Sequence, residues 1–444
     1  MNLIASPWIP AVLLILLTCA VRLNSESWLA PSAFAALVWS VFVWISMLVT
    51  DYPVCASAVW IIVLFVFVLQ LGAFVGETFA GGGFGGIAAS NAKTSRVETP
   101  DCVGLKLCGA CTIVALAGSL YFVFWSFQRF DLPPSPLSFF GLGHLWSVQR
   151  YEYGELEPWG VRLTTMWVYP AALVGGIAFA TAKNRKTRLW TLFPFIPAFL
   201  VGLVVAARAG ILISLICWLS GYLALKHWQN NGAYQLFRRR LILILGVLGL
   251  AALALFLFVD LIRQSEGGQI ADVTVDAQRL LKYSFGSLAA FSSWFHEYKS
   301  GSAAFGAYTF GGIFDLLGLQ HREIGLYTGM VTLPGGEETN IYTALRGLIQ
   351  DFTLGGAVVV TFFVSFVSGV LLGSPSRRAW VSILFGAWYY AFILGSPLTS
   401  VFTYNGLVLA WLVVAVVLRS HFKPTGSHAM RRFGQNVPVI SAKP

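Results

Sequence analysis

Apolar runs long enough to cross a lipid bilayer recur almost from end to end of this chain, and no other feature restricts its fold so severely. A hydrocarbon core about 30 Å thick demands roughly 20 apolar residues per helical crossing. Segments of that kind read at 3–21, 29–49, 55–78, 105–127, 163–182, 189–207, 209–225, 241–261, 354–373, 379–395 and 401–419, about eleven spans in all. The short alternating strands of an outer-membrane barrel are absent from the pattern. With 57% hydrophobic and only 11% charged residues, the expected fold is an all-α polytopic membrane protein, one integral membrane domain over 1–444. The first run, WIPAVLLILLTCAV, lacks a basic leading region and a small-residue cleavage site, so it reads as a retained span.

Charge gives this bundle an orientation. The formal net charge of +10 is unevenly spread: 183–188, 226–240, 374–378 and the basic tail 420–444 hold no acidic residue. By the positive-inside rule these are cytoplasmic. The loops 128–162 and 262–353 are mixed in sign, and every acidic residue after Glu157 falls between Asp260 and Asp351. They face outward, into the periplasm if the cell is a bacterium.

The same reasoning divides 189–225, an apolar stretch interrupted only by Arg208. As a single helix it would be about 55 Å long, too long for one crossing. Two crossings return the chain to the basic side and leave Arg208, in AARAG, at the tip of an outer hairpin. A charge at that depth marks a functional site with an anionic partner; the plainer alternative is an arginine snorkelling to headgroup phosphate.

The long outer loop, 262–353, exceeds ordinary loop length and is expected to be ordered and functional. Within it DAQRLLKYSFGSLAAFSSWF, 276–295, places Leu281, Phe285, Leu288 and Phe295 at helical spacing, an amphipathic helix on or in the membrane interface. GGIFDLLGL, 311–319, is a second, shorter apolar element. Around them stand Arg263, Arg279, Lys282, His296, Glu297, His321, Arg322, Glu337, Glu338, Arg346 and Asp351. The first outer loop, 128–162, is rich in proline and aromatic residues and carries Arg150, Glu152 and Glu155. Aromatic faces beside carboxylates suit sugars, and an interfacial aromatic belt accounts for single rings equally well.

Other motifs carry little. GGGFGG at 81–86 follows a span and lacks the strand and helix a dinucleotide fingerprint needs. Cys108 and Cys111 sit at helical spacing inside a span and read as small apolar residues rather than a redox or metal pair; the six cysteines outline no disulfide framework. No metal-ligand spacing is present, so no metal or other cofactor is expected. The short basic clusters are topogenic and imply no nucleic acid.

An outward site with several arginines suits a lipid-borne pyrophosphate, because a guanidinium fork bonds two oxygens and keeps its charge when partly buried. In a transfer reaction the same contacts stabilise charge on the departing pyrophosphate, while a base or orienting group activates a sugar hydroxyl.

The run Thr339-Asn340-Ile341-Tyr342-Thr343, followed by Asp351-Phe352 and Gly355-Gly356, resembles the carboxy-terminal signature of the oligosaccharide repeat unit polymerases, the Wzy-type enzymes. The Arg208 hairpin, the basic loop after it and RLLKYSFGSLAAF resemble the same family, over roughly residues 200–375. The resemblance implies a GT-C-type glycosyltransferase of the bacterial inner membrane, free of metal and nucleotide sugar. Such an enzyme joins undecaprenyl-pyrophosphate-linked repeat units at the periplasmic face in O-antigen or exopolysaccharide biosynthesis, with a chain-length-regulating co-polymerase as partner. It points to Arg208 and Arg279 as catalytic ligands of pyrophosphate and sugar, to Glu338, Asp351 and His296 (with His321) as candidate bases, and to Arg150, Arg263, Tyr283, Arg322, Asn340, Tyr342 and Arg346 as substrate-binding. Asp351 reads alternatively as a helix cap, and Arg346 as a snorkelling arginine.

Two departures stand out. The family's Asp-Phe-Gly is Asp351-Phe352-Thr353 here, and the related O-antigen ligases place a histidine where this chain has Thr339. A ligase, a lipid-linked oligosaccharide flippase and a binding subunit without chemistry are the rival classes. A transporter generally shows internal repeats and midplane charges; no obvious repeat is present.

Overall fold

The structure is a computed structural model that describes residues 6–25, 27–80, 101–151, 157–205, 207–230, isolated positions between 246 and 259, 277–299, 301, 303–320, 327, 329–333, 338–373 and 379–421. Its helices are α1 (Trp8–Asn24), α2 (Pro31–Val49), α3 (Ala56–Ala80), α4 (Asp101–Arg129), α5 (Pro136–Tyr151), α6 (Trp159–Thr165), α7 (Val168–Thr181), α8 (Arg185–Trp190), α9 (Phe195–Val204), α10 (Arg208–Gln229), α11 (Ala277–Glu297), α12 (Gly311–Leu316), α13 (Ala344–Gly373), α14 (Ala379–Gly395) and α15 (Asn405–His421). The strands β1 (Val331–Thr332) and β2 (Glu338–Thr339) form one antiparallel pair, with Val331 opposite Thr339.

Among the described residues, seven helical segments are long and apolar enough to cross a membrane: Pro31–Val49, Ala56–Ala80, Gly104–Arg129, Trp159–Thr181, Arg185–Val204, Arg208–Gln229 and Ala344–Gly373. Trp8–Asn24, Ala379–Gly395 and Asn405–Arg419 are apolar but shorter. Ten of the segments read from the sequence therefore fall on apolar helices; the remaining one, 241–261, lies largely outside the described residues, as do 81–86, 231–240, 374–378 and the tail from 422. The stretch 189–225 is divided as expected: α9 ends at Val204, α10 starts at Arg208, and the two helices fold together so that Gly202 lies against the Ile211 side chain.

Inside a bilayer, apolar side chains gain nothing by leaving lipid for one another, so helices associate through close packing of small residues and through hydrogen bonds. The seam between α3 and α13 follows that rule. Side-chain carbons added at Gly76 and Gly369 would run into the backbone carbonyls of Phe366 and Ala73 respectively, so the two helices meet backbone to backbone. Ser365 Oγ donates across the same seam to the Leu69 carbonyl.

At the opposite end of these helices from the 277–343 region, polar groups tie four elements. His227 of α10 places Nδ1 3.1 Å from the Leu29 carbonyl and Nε2 3.3 Å from the Leu372 carbonyl at the end of α13. From α14, Tyr390 donates to Leu29 O at 2.6 Å and Tyr389 to Pro31 O at 2.6 Å.

One feature differs from the sequence expectation. Helix α11 does not simply rest an apolar stripe on an interface: Gly286 through Ser292 are buried on every side, with Leu288 and Phe291 packed among residues of α2, α3 and α13. Between the large apolar side chains stand small residues, Gly286, Ser287, Ala289, Ala290 and Ser292, and small residues let neighbours close in. Ser287 donates to Pro397 O at 2.8 Å, while Ser292 Oγ accepts the Cys55 amide at 2.6 Å. Helix α13 breaks at Thr353, with φ 60° and ψ 174°, just before the span read from the sequence at 354–373.

Candidate functional site

The break at Thr353 separates a short entry helix, 344–352, from the long apolar run that follows, and the site is built on that entry helix. Positions four apart share a helix face. One face thus carries Thr343, Gly347 and Asp351, and another carries Arg346 and Gln350.

Asp351 is fully buried. Its Oδ1 accepts the Tyr308 amide at 3.0 Å and its Oδ2 the Thr309 amide at 2.6 Å. Thr309 O in turn accepts the Ser400 hydroxyl at 2.8 Å.

Arg346 is only 8% exposed, and aromatic rings box it in. Its guanidinium carbon is 3.9 Å from the centre of the Tyr342 ring, 4.0 Å from that of Tyr327 and 5.3 Å from that of Trp294. Tyr327 and Tyr342 meet edge to face at 5.2 Å, and Tyr308 stacks on Tyr327 at 5.6 Å. Nε donates to Gln350 Oε1 at 3.2 Å, and Arg346 forms no ion pair among the described residues. Among the described residues its buried Nη1 has no hydrogen-bond partner, nor do the buried hydroxyls of Thr309 and Thr343. Burial pushes the Tyr327 and Tyr342 hydroxyls above the usual tyrosine range against the opposing pull of Arg346, so both are neutral. A side chain at Gly347 would meet Tyr327 Oη at 3.2 Å and Thr309 Oγ1 at 3.5 Å, which keeps the space beside those hydroxyls free of carbon.

The segments flanking the β pair are tied to each other beside this box. Tyr342 donates to Gly329 O at 3.0 Å, and Asn340 Nδ2 approaches Tyr327 O at 3.4 Å. Thr339 is buried, and its hydroxyl accepts the Ile341 amide at 3.2 Å.

Of the residues selected from the sequence, Asn340, Tyr342, Arg346 and Asp351 converge. Glu338 is exposed on β2, and His296 is exposed in the last turn of α11. Arg208 opens α10 and is half-buried. Arg279 and Tyr283 lie in α11 and Arg150 in α5, but their side chains are outside the described residues; Arg263, His321, Arg322 and Glu337 lie outside them entirely. Trp294, Tyr308, Thr309 and Tyr327 were not foreseen. They lie far from Arg346 in sequence, and no local spacing announces an aromatic box assembled from three segments.

Fold and site together define an all-α, multi-pass membrane protein with a buried arginine site where the 277–343 region meets the helical bundle. No protein-family model, curated protein or solved structure matches the chain.

Proposed function

We propose that this protein is a membrane glycosyltransferase that polymerises oligosaccharide repeat units carried on undecaprenyl pyrophosphate. In this reading the chain crosses the bacterial inner membrane about eleven times and presents the Arg346 region to the periplasm, in a GT-C-like arrangement. A hydroxyl oxygen of the acceptor sugar attacks the anomeric carbon of the donor glycan. The bond from that carbon to the pyrophosphate oxygen breaks, undecaprenyl pyrophosphate leaves, and the hydroxyl proton passes to a base.

One observation carries the reading: among the described residues, a buried guanidinium has an unpartnered Nη1 and no carboxylate paired to it. Burying a cation is costly unless something compensates its charge. Aromatic faces offset part of that cost, and an oxyanion supplies the rest while bonding the open N–H. Charge asymmetry along the chain and the TNIYT and Asp-Phe residues support the same conclusion. Of the candidate bases among the described residues, Glu338 and His296 are exposed and are proposed to take the hydroxyl proton. The buried, bonded Thr339 disfavours the ligase alternative, which places a histidine base at that position.

The test is reconstitution of the purified protein in lipid nanodiscs with a repeat unit on undecaprenyl pyrophosphate. Longer lipid-linked chains and released undecaprenyl pyrophosphate are expected, and a deletion strain is expected to make lipopolysaccharide capped by a single repeat. Transfer to a lipid A core acceptor would mark a ligase instead, and unchanged glycan despite transbilayer movement a flippase.

A further inference from the structure

Asp351 carries the acidic side chain closest to Arg346 in sequence, yet its geometry is unsuited to proton transfer. It is 0% exposed, and each carboxylate oxygen is turned to a backbone amide, Tyr308 N on one and Thr309 N on the other. Two successive N–H groups directed at one carboxylate form an anion-binding nest. The turn that creates it is unusual: Phe305 and Gly306 both take positive φ, 50° and 98°. Two further bonds hold that turn to the same stretch of α13, Ala304 N to Gln350 O at 3.2 Å and Phe305 N to Asp351 O at 3.0 Å. Nor does Asp351 cap the apolar run that follows the break at Thr353, since both of its carboxylate oxygens are taken by the Tyr308 and Thr309 amides.

What the turn delivers is an aromatic ring. Tyr308, the residue whose amide Asp351 holds, stacks on Tyr327 with their planes 15° apart, and Tyr327 is a wall of the Arg346 box. The contacts run without interruption from the Asp351 carboxylate to the Tyr308 amide, across the Tyr308–Tyr327 stack, to the Arg346 guanidinium.

We infer that Asp351 is a positioning residue: it straps the 304–309 turn to α13 so that Tyr308 and Tyr327 hold the Arg346 guanidinium in the plane that receives the oxyanion, and it moves no proton. This rests on the polymerase reading given above. The role explains why an acidic residue stands five positions from Arg346 without pairing with it: its charge is spent on the amide nest.

The experiment uses the full chain in nanodiscs, with undecaprenyl pyrophosphate as binding probe and chain extension as turnover assay. Asp351→Asn keeps one amide acceptor and turns an NH2 group against the other amide. It should weaken probe binding roughly tenfold and raise KM in parallel, with the loss falling on KM rather than kcat and the shape of the pH profile kept. Tyr308→Ala breaks the stack without touching the carboxylate and should reproduce the KM effect; the double variant should add little, because both act through one chain of contacts. A loss confined to kcat together with loss of a pH-profile limb would make Asp351 the base and overturn the inference. So would unchanged probe affinity in Tyr308→Ala, a result that stands even if Asp351→Asn fails to fold. Failure of the wild-type protein to bind the probe or extend chains would instead overturn the polymerase reading.

Discussion

The Arg346 guanidinium carbon stands 3.9 Å above the centre of the Tyr342 ring, four residues back along the chain and held in place by the Tyr342 hydroxyl bond to Gly329 O. Arginine is suited to this contact because its charge is spread over a plane that stacks on a ring while its edge stays open to a ligand. A desolvated contact of this kind contributes about 2 kcal/mol. Arg346→Lys keeps the charge but loses the plane, and should lower the rate of chain extension by about thirtyfold. Arg346→Ala should lower it further. Extension rates normalised to folded protein check both.

Thr353 has a φ of 60° and a ψ of 174° in the middle of α13, a region essentially reserved for glycine and unfavourable for a β-branched residue. Where the signature that this stretch resembles has glycine, this chain has threonine and bears the strain. Thr353→Gly should relieve about 1 kcal/mol and raise the thermal unfolding midpoint in detergent. A lower midpoint would show that the threonine side chain contributes more than the strain it imposes.

At the α3–α13 seam any side chain on Gly369 must displace the Ala73 carbonyl. Gly369→Val should cost about 3 kcal/mol or more, since backbone cannot yield as a side chain can. Gly109, in α4, has nothing within 4 Å of an added carbon, so Gly109→Ala should be neutral or stabilising by up to about 1 kcal/mol. The yield of folded protein by size-exclusion chromatography separates the two outcomes.

His227 sits between the carbonyls of Leu29 and Leu372, joining α10 to the α1–α2 connection and to the end of α13. His227→Phe fills similar space without a donor. It should cost about 1–3 kcal/mol, the penalty for a buried carbonyl left unsatisfied. Thermal unfolding of the purified variant provides the measure, and probe binding at the distant Arg346 box should change little.

Thr332 on β1 and Lys186 on α8 are both exposed. If the proposed orientation holds, an impermeant maleimide added to intact spheroplasts labels Thr332→Cys and spares Lys186→Cys, in a background with the native cysteines replaced. The reverse pattern would invert the topology.

Much of the architecture was legible in the chain because lipid imposes a crude criterion. Nearly any run of about 20 apolar residues becomes a helix there, so ten of the segments read from sequence coincide with apolar helices. Arg208 could be placed between two helices because a single helix would overshoot the membrane. Asn340, Tyr342, Arg346 and Asp351 could be selected because polar side chains beside a span need a reason to be there.

What those residues do was not legible. Arg346 and Asp351 lie five positions apart, and charge alone would pair them; the folded chain instead gives Arg346 to aromatic rings and Asp351 to two amides. The partners come from α11, from the turn after it and from the segment before β1, brought to α13 only by packing. The sequence by itself determined that this chain must form a bundle of membrane helices with one polar, ionisable region, because hydrophobicity is a property of each residue alone. Tertiary structure decided which cation is buried without a carboxylate and which carboxylate is buried among amides, because burial and partnership belong to the assembled fold.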